Sequence, residues 1–444
     1  MVSQPNFNAN LVDERWAELI SPDNTKAQLV NRATQGLYPP GSTFKMLTVL
    51  EYMKENPNTW QDYVYNCNGS YQNGDYTIKC YHGTAHGAQN LIQAFANSCN
   101  GAFAEIGMQI NSEKFRALAN QMLFNSELPY TLPYNQSTFS LDGSSDDWEK
   151  LQTAIGQGKT QITPLHNLMI VSAIANGGTY TKPIFFTKIL DRNGKILIDN
   201  EPETRQGLKD YTAYLLTSAM QDVMQSNTMY TRSGSGVKST GTTAAIPNMS
   251  CAGKSGTTTS NVDVWFVGFT PYYTAGIWGG CDQPLKGGTV SNGGTSYHKR
   301  IWRNIMTRVH ESLSDPGFTV PDSIETAEVC RKSGKLPVSG VCSSDPRGTA
   351  VYTEYFAKGT VPTETCDHHT RVTICSASGG ISTAFCPTNQ QISKTVMVVP
   401  EDGGETDDSR FSMPSECKIH NGSSTIIHPS ESADFSAPGY SPDS

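Results

Sequence analysis

No run of about 18 apolar residues occurs anywhere in the 444-residue chain, so the sequence offers no segment for a membrane-spanning helix. It also lacks a basic cluster, and its formal net charge of −8 argues against nucleic acid as a partner. The first residues, Met1 to Phe7, have no charged lead followed by an apolar core. They read as a strand entering a turn and not as a signal peptide. The chain is therefore expected either to work in the cytoplasm or to be a piece whose anchor lies outside it. Apolar material is not lacking. A hydrophobic content of 37% with 6 Trp and 19 Tyr can fill one large domain plus an appendage, or two domains.

Cysteine is abundant, but C-x-x-C pairing is absent from its C-terminal half. Of 11 Cys, Cys330, Cys342, Cys366, Cys375, Cys386 and Cys417 stand at wide, loop-like spacings. Disulfide staples outside the cytoplasm are the first reading. Zinc is the second, helped by His368 and His369 but without the usual ligand spacing. The odd count leaves at least one Cys free or joined to another chain. Cys67 and Cys80 bound a hairpin pattern turning at Asn73-Gly74, and a disulfide could close it. His82 and His86 are four apart, a metal-like spacing, yet Gly83 and Gly87 spoil a helix there. No metal ligand and no cofactor are assigned.

The stretch Tyr38 to Met53, YPPGSTFKMLTVLEYM, organises the rest. Pro39, Pro40 and Gly41 form a rigid approach to a helix on which Phe44, Leu47, Leu50 and Met53 recur every three residues. Ser42 sits at the helix mouth with Lys45 three residues on, so both side chains share a face. A lysine on an apolar face is costly unless it is used. Desolvation lowers its pKa, and it can then take the proton of the Ser42 hydroxyl. A capping Ser and a snorkelling Lys would give the same four letters.

Further along, Leu91 to Ala96 is helical, breaks at Asn97-Ser98-Cys99-Asn100-Gly101, and resumes with Phe103, Ile106 and Met108. That break lets Ser98 and Asn100 face one cavity while Cys99 packs backward. Helices are expected from Thr163-Pro164 to Gly177-Gly178 and from Asp210 to about Met224, and 233–243 reads as mobile. Lys254-Ser255-Gly256-Thr257 heads a segment followed by two apolar runs, Val262 to Phe269 and Tyr272 to Trp278. Three consecutive antiparallel strands follow from that pattern, with a helix around Ile301, Ile305 and Val309 packed on them.

Ser42-x-x-Lys45, Ser98-x-Asn100 and Lys254-Ser255-Gly256-Thr257 are each weak signals, but their order and local settings make a set. With Asn31-Arg32-Ala33, Ile155-Gly156-Gln157-Gly158, Asn176-Gly177-Gly178 and Trp265-Phe266-Val267-Gly268-Phe269, the chain resembles the transpeptidase domain of penicillin-binding proteins over roughly Met1 to Leu313. The resemblance implies an α/β fold, a mostly antiparallel sheet flanked by helices on both faces plus a helical subdomain. It implies a transpeptidase domain over 1–315, truncated at its N-terminus, while composition marks a Cys-rich extension over 316–400 and a Gly/Asp/Ser/Pro-rich, disordered tail over 401–444.

It further implies that Ser42 attacks a D-alanyl-D-alanine amide, or a β-lactam, and that Lys45 takes its proton. Ser98 relays a proton to the leaving group, and Asn100 holds the substrate backbone. Lys254 steers Ser98 and the terminal carboxylate, with Ser255, Gly256, Thr257 and Thr259 lining the carboxylate site. Backbone N–H groups of Ser42 and Thr257 would form the oxyanion hole. The implied partners are peptidoglycan stem peptides, β-lactams and other cell-wall synthesis proteins. The implied location is the outer face of the cell membrane, through an anchor absent from this chain. The rivals are a D,D-carboxypeptidase, a serine β-lactamase, and a β-lactam sensor or scaffold without turnover. The tail, with Thr353-Glu354-Tyr355-Phe356 and Gly359-Thr360, is similar to tails of bifunctional family members, while the Cys67–Cys80 hairpin is more like monofunctional ones.

Overall fold

Two proline-fixed residues and a left-handed glycine (Gly41, φ 54°) turn the chain sharply into the Tyr38–Met53 helix. Its first turn, Gly41–Phe44, is a tight 3-10 helix that passes into α1, Lys45–Glu55. The computed structural model describes residues 1–57, 59–225, 228–230, 236–281, 290, 296–346, 348–398 and 413–420. They divide into two compact units, Met1–Ser323 and Ile324–Ser444.

In the first unit, α1 is buried all round from Lys45 to Met53, as a helix at the centre of a subdomain must be. Around it pack α2, Leu91–Ala96, and α3, Asn100–Gln109. Asn90 caps α2 in a reciprocal box with Gln93. Next come α4, Pro164–Ala175, capped by Thr163, and α5, Asp210–Met224. These bounds lie within a residue or two of those expected from the sequence.

The sheet of this unit runs β1 (Ala252–Thr257), β2 (Asp263–Phe269), β3 (Thr274–Gly280), antiparallel in sequence order. Every residue of β2 is buried, so both faces of the sheet are covered. Trp265, Val267 and Phe269 join the core that includes Met169, Ile170 and Ile174 of α4, while Phe266 packs with Trp302 and Met306 on the opposite face. Helices on both faces of an antiparallel sheet, plus the helical layer about α1, make the α/β architecture.

The helix Tyr297–Val309 (α6) corrects one expectation. Ile301, Ile305 and Val309 are 42–46% exposed, and His298, Trp302 and Met306 face the sheet instead. Both stripes recur every four residues. The wide indole, donating through Nε1 to the Ala275 carbonyl at 3.0 Å, determines which one is buried. The start of the chain is a second correction. Among the described residues Met1–Phe7 pairs with no strand, and Val12–Leu19 just after it is helical with Asp13 and Glu14 in its first turn. The segment 233–243 lies partly, and 401–444 mostly, outside the described residues.

One buried acid on α1 carries a prediction. Burial, with Glu55 nearby, raises the pKa of Glu51 above its usual range, against the pull of Lys54. A raised carboxyl pKa means that folding stability falls as pH rises from the unfolded pKa through the folded one. Glu51→Gln is therefore expected to raise Tm at about pH 8 and to leave it nearly unchanged at about pH 4, as thermal unfolding across pH would show.

The described residues of the second unit form two antiparallel strand pairs. β4 (Ile324–Cys330) pairs antiparallel with β5 (Val351–Ala357), and β6 (His369–Cys375) pairs antiparallel with β7 (Gln391–Met397).

Candidate active site

The first turn of α1 is wedged against the open edge of β1. A Cβ added to Gly41 would sit 3.0–3.3 Å from the backbone of Thr257, and one added to Gly256 would sit 3.0 Å from the Pro40 carbonyl oxygen. The two segments thus touch through backbone, which only glycine allows. The approach is pinned from the sheet. Tyr38 stacks on Trp278 with centroids 3.8 Å apart, and the Trp265 indole donates to the Pro39 carbonyl at 3.0 Å. Ser42, half-buried, directly follows the Gly41 that abuts the backbone of Thr257, so the N–H groups expected to form an oxyanion hole come from adjacent segments.

Behind Ser42, Lys45 is fully buried. Its ammonium donates to Asn100 Oδ1 at 2.8 Å, to the Ser98 carbonyl at 2.8 Å and to Ser98 Oγ at 3.4 Å. Lys254, also fully buried, donates to Ser98 Oγ at 2.9 Å and to the Ser255 carbonyl at 3.1 Å. One hydroxyl therefore lies between two ammonium groups, one 53 residues before Ser98 in sequence and the other 156 after it. Ser42 is not a member of this hydrogen-bonded set. It adjoins the set through its place one helical turn before Lys45.

Ser98 has a left-handed backbone, φ 56°, unusual for a residue with a side chain. It is held there by its N–H to the Phe95 carbonyl at 3.1 Å, by Cys99 N–H to the Ala94 carbonyl at 2.9 Å, and by Lys45. Local strain of about 1–3 kcal/mol persists only where surroundings over-determine it. Asn100 is fixed at both ends of its amide, its Nδ2 donating to the Lys79 carbonyl at 3.0 Å.

Burial lowers the Lys45 pKa to about 8, against an opposing pull from Cys99, Cys80 and Cys67. Burial, then repulsion from Lys45 and Lys299, holds Lys254 well below its ordinary value. Aromatic faces partly offset the loss of water, Phe103 at 5.1 Å from the Lys45 nitrogen and Phe95 at 5.5 Å from that of Lys254. An amine with a pKa near 8 is partly neutral at physiological pH and can accept a hydroxyl proton.

Of the residues expected to bind a carboxylate, Ser255 and Gly256 are buried on β1, Thr257 is half-buried at its end, and Thr259 is exposed. Thr259 is tied through its N–H and hydroxyl to Gln157 Oε1, at 3.3 and 3.1 Å. Gln157 and Lys299 are the neighbours the sequence did not assign to the site. Lys299 donates to the Thr240 carbonyl at 2.8 Å. No spacing signals it, since His298-Lys299-Arg300 reads as an ordinary polar face.

The cysteines overturn the disulfide expectation. All are free, and the Cys67 and Cys80 sulfurs stand 3.6 Å apart, against about 2.05 Å for a bond. Cys99 does pack backward, away from Ser98 and Asn100, into a group with Cys67, Cys80 and His86. His82 is no part of it. Two similar groups lie in the second unit.

Residues 1–307 match the family model for the penicillin binding protein transpeptidase domain, and residues 320–371 match that for the penicillin-binding protein 1A C-terminal domain. Penicillin-binding protein 1A of Clostridium tetani (strain Massachusetts / E88) is 28% identical over 393 residues, covering 84% of this chain and 45% of that protein. Its namesake in Clostridium botulinum (strain Langeland / NCTC 10281 / Type F) is 33% identical over 234 residues, 53% of this chain and 26% of that one. The chain thus spans less than half the length of these relatives. Among solved structures, the D,D-transpeptidase domain of a peptidoglycan glycosyltransferase from Eggerthella lenta superposes with a TM-score of 0.59 at 26% identity, covering 70% and 74% of the two chains. The ceftriaxone acyl-enzyme complex of penicillin-binding protein A from M. tuberculosis gives a TM-score of 0.52 at 25% identity, covering 61% of each.

Proposed function

The chain belongs to the penicillin-binding protein transpeptidase family, and from that premise we propose that it is a peptidoglycan D,D-transpeptidase working through a Ser42 acyl-enzyme. The observation that carries this is the hydrogen-bonded set Lys45–Ser98–Asn100–Lys254, its two lysines fully buried, one helical turn from Ser42. Neutral Lys45 takes the Ser42 proton, and Oγ attacks the carbonyl carbon of the penultimate D-alanine. The oxyanion that forms is held by the N–H groups of Ser42 and Thr257, each donor worth about 10²–10³ in rate. Ser98, held between two ammonium groups, hands a proton to the departing amine nitrogen, and Lys45 replaces it. The C–N bond breaks and the terminal D-alanine leaves. Lys254, Ser255, Thr257 and Thr259 bind its carboxylate, and Asn100 binds the peptide backbone.

An amine of a second stem peptide then attacks the ester, giving the cross-link and freeing Ser42. The same nucleophile opens a β-lactam, whose fused ring blocks the acceptor. The solved neighbour captured as a ceftriaxone acyl-enzyme supports that part. The work belongs at the outer face of the cell membrane, where stem peptides are.

A synthetic stem peptide ending in D-Ala-D-Ala, mixed with an amine acceptor, tests the assignment by mass spectrometry. The expected product is the donor minus one alanine joined to the acceptor. Hydrolysed donor alone would assign a carboxypeptidase and overturn the transpeptidase reading.

A further inference from the structure

Three groups, Cys67–Cys80–His86–Cys99, Cys330–Cys342–Cys366–His369 and Cys375–Cys386–Cys417–His420, each gather four ligand atoms within 4.8 Å of one another. All twelve side chains but His420 are buried. We propose that each group binds one Zn²⁺ tetrahedrally through three thiolates and one imidazole, and that the first of these ions fixes the loop carrying Ser98 and Asn100.

The distances suit that ion. Zn–S of about 2.3 Å and Zn–N of about 2.0–2.1 Å at tetrahedral angles place ligand sulfurs about 3.8 Å apart and sulfur about 3.5 Å from nitrogen. In the first group the Cys67–Cys80 and Cys80–Cys99 sulfurs are 3.6 and 3.7 Å apart, and Cys67 Sγ is 3.3 Å from His86 Nδ1. In the second, Nδ1 of His369 is 3.3 Å from Cys330 and 3.4 Å from Cys366. In the third, Nδ1 of His420 is 3.4 Å from Cys375 and 3.6 Å from Cys417.

The surroundings are those of thiolates. Each group has a backbone N–H aimed at a sulfur, from Gly69 to Cys67 and Ala102 to Cys99 at 3.4 Å, and from Val338 to Cys342 and Thr383 to Cys386 at 3.3 Å. Cys99 is moreover the N-cap of α3, where a negative sulfur is favoured. The far nitrogen of His369 meets buried Asp345 at 2.8 Å, the carboxylate support that fixes a zinc-bound imidazole. Three thiols and one histidine, repeated three times, cannot be exhausted by disulfides, which would leave one Cys and one His over in every group.

The second and third groups are also two copies of one design. Cys330 and Cys375 each end a strand with the same burial alternation and accept from the N–H four residues on, Gly334 and Gly379, at 2.8 and 2.7 Å. Leu336 and Ile381, each six residues past that Cys, accept at their carbonyls from the N–H of Cys366 and Cys417 at 2.7 and 2.8 Å. A Cys-x-x-His ends each copy. Among the described residues the clusters around the sulfurs hold little besides the cysteines, and the other buried apolar side chains of the strands are few, Ile324, Val329, Ile374, Val396 and Met397, so a bond through the sulfurs adds the closure that so small a core lacks. In the first group the ion ties hairpin residues 67 and 80 to Cys99, whose neighbours on either side are Ser98 and Asn100. Binding releases up to three thiol protons per ion, and each imidazole binds as its neutral form through Nδ1.

The test is the metal and thiol content of the whole chain, purified under reducing conditions and dialysed against a mild chelator. Three zinc ions per chain by mass spectrometry of the elements are expected, with all eleven thiols titratable once the protein is denatured in strong chelator. Co²⁺ in place of zinc should give the visible bands of tetrahedral cobalt–thiolate. Fewer than three ions, or thiols missing into disulfides, would overturn the proposal. Cys386→Ser and Cys67→Ser should each drop the count to two. Cys67→Ser alone should slow penicillin acylation at least tenfold, although Cys67 touches neither Ser98 nor Asn100. An unchanged acylation rate in the two-zinc Cys67→Ser protein would refute the positioning claim and leave the metal count to judge the rest. Neither readout depends on which acceptor completes the reaction.

Discussion

Lys45→Met is expected to lower the second-order rate constant for acylation by benzylpenicillin about 10²–10⁴-fold, the usual contribution of a positioned general base. Methionine matches the length and fills the same fully buried space, so the loss reports on the amine and not on a cavity. The substitution also leaves the Ser98 carbonyl and Asn100 Oδ1 without their shared donor. Arginine is not expected to rescue the rate, because a guanidinium does not give up its proton near neutrality. In the unaltered protein the sign of the pH effect follows from the direction of the shift. Burial lowers the Lys45 pKa to about 8, so the active, neutral amine accumulates as pH rises, and acylation should accelerate through about pH 8 and then level. Stopped-flow mixing with a chromogenic β-lactam across pH measures both effects. A pH-independent rate, or a Lys45→Met protein as fast as its parent, would contradict the role.

Gly156→Ala is expected to be nearly as damaging without touching a catalytic group. Gly156 has φ 75° and accepts the Gly41 N–H at 2.8 Å, and a Cβ there would overlap the Gly41 carbonyl and press to 2.8 Å on Phe44 Cβ. Left-handed backbone costs a side chain about 1–2 kcal/mol, and the overlap adds about 1–3 kcal/mol. The pressure falls on the residue before Ser42. Displacement of a nucleophile by about 1 Å costs roughly 10²-fold in rate. Gly177→Ala is the control. Gly177 has φ 59°, but a Cβ there meets nothing within 4 Å, so only the conformational cost should appear and acylation should be unchanged. Thermal unfolding paired with acylation rates separates the two variants.

That Lys45, Ser98, Asn100 and Lys254 come together was legible because each stands in a setting that its own neighbours signal. A Ser and a Lys one helical turn apart, a polar break between two apolar helices, and a Lys at the head of a strand each announce their secondary structure along with their side chains. The sheet order followed from the Lys254 segment and the two apolar runs after it, Val262 to Phe269 and Tyr272 to Trp278. Where the pattern offered two apolar stripes, as on Tyr297–Val309, periodicity could not decide which was buried, because that depends on the fit of the Trp302 indole against Phe266. The cysteine groups were missed because their ligands are recruited across hairpins, with gaps far from those of short zinc motifs. The legible signal was repetition, Cys-x-x-His at Cys366–His369 and again at Cys417–His420, each preceded by two widely spaced Cys. His86 could be found only through the fold, since His82 seemed its natural partner in the linear text. Lys299 owes its place beside Lys254 to the packing of a helix on a sheet, which no local pattern encodes.

The most direct test is the site of covalent capture. Intact-mass measurement after brief exposure to benzylpenicillin, followed by peptide mapping, should find one added penicilloyl group, carried by Ser42 and absent from Ser42→Ala. An adduct on another residue, or none while the protein is folded, would contradict the account.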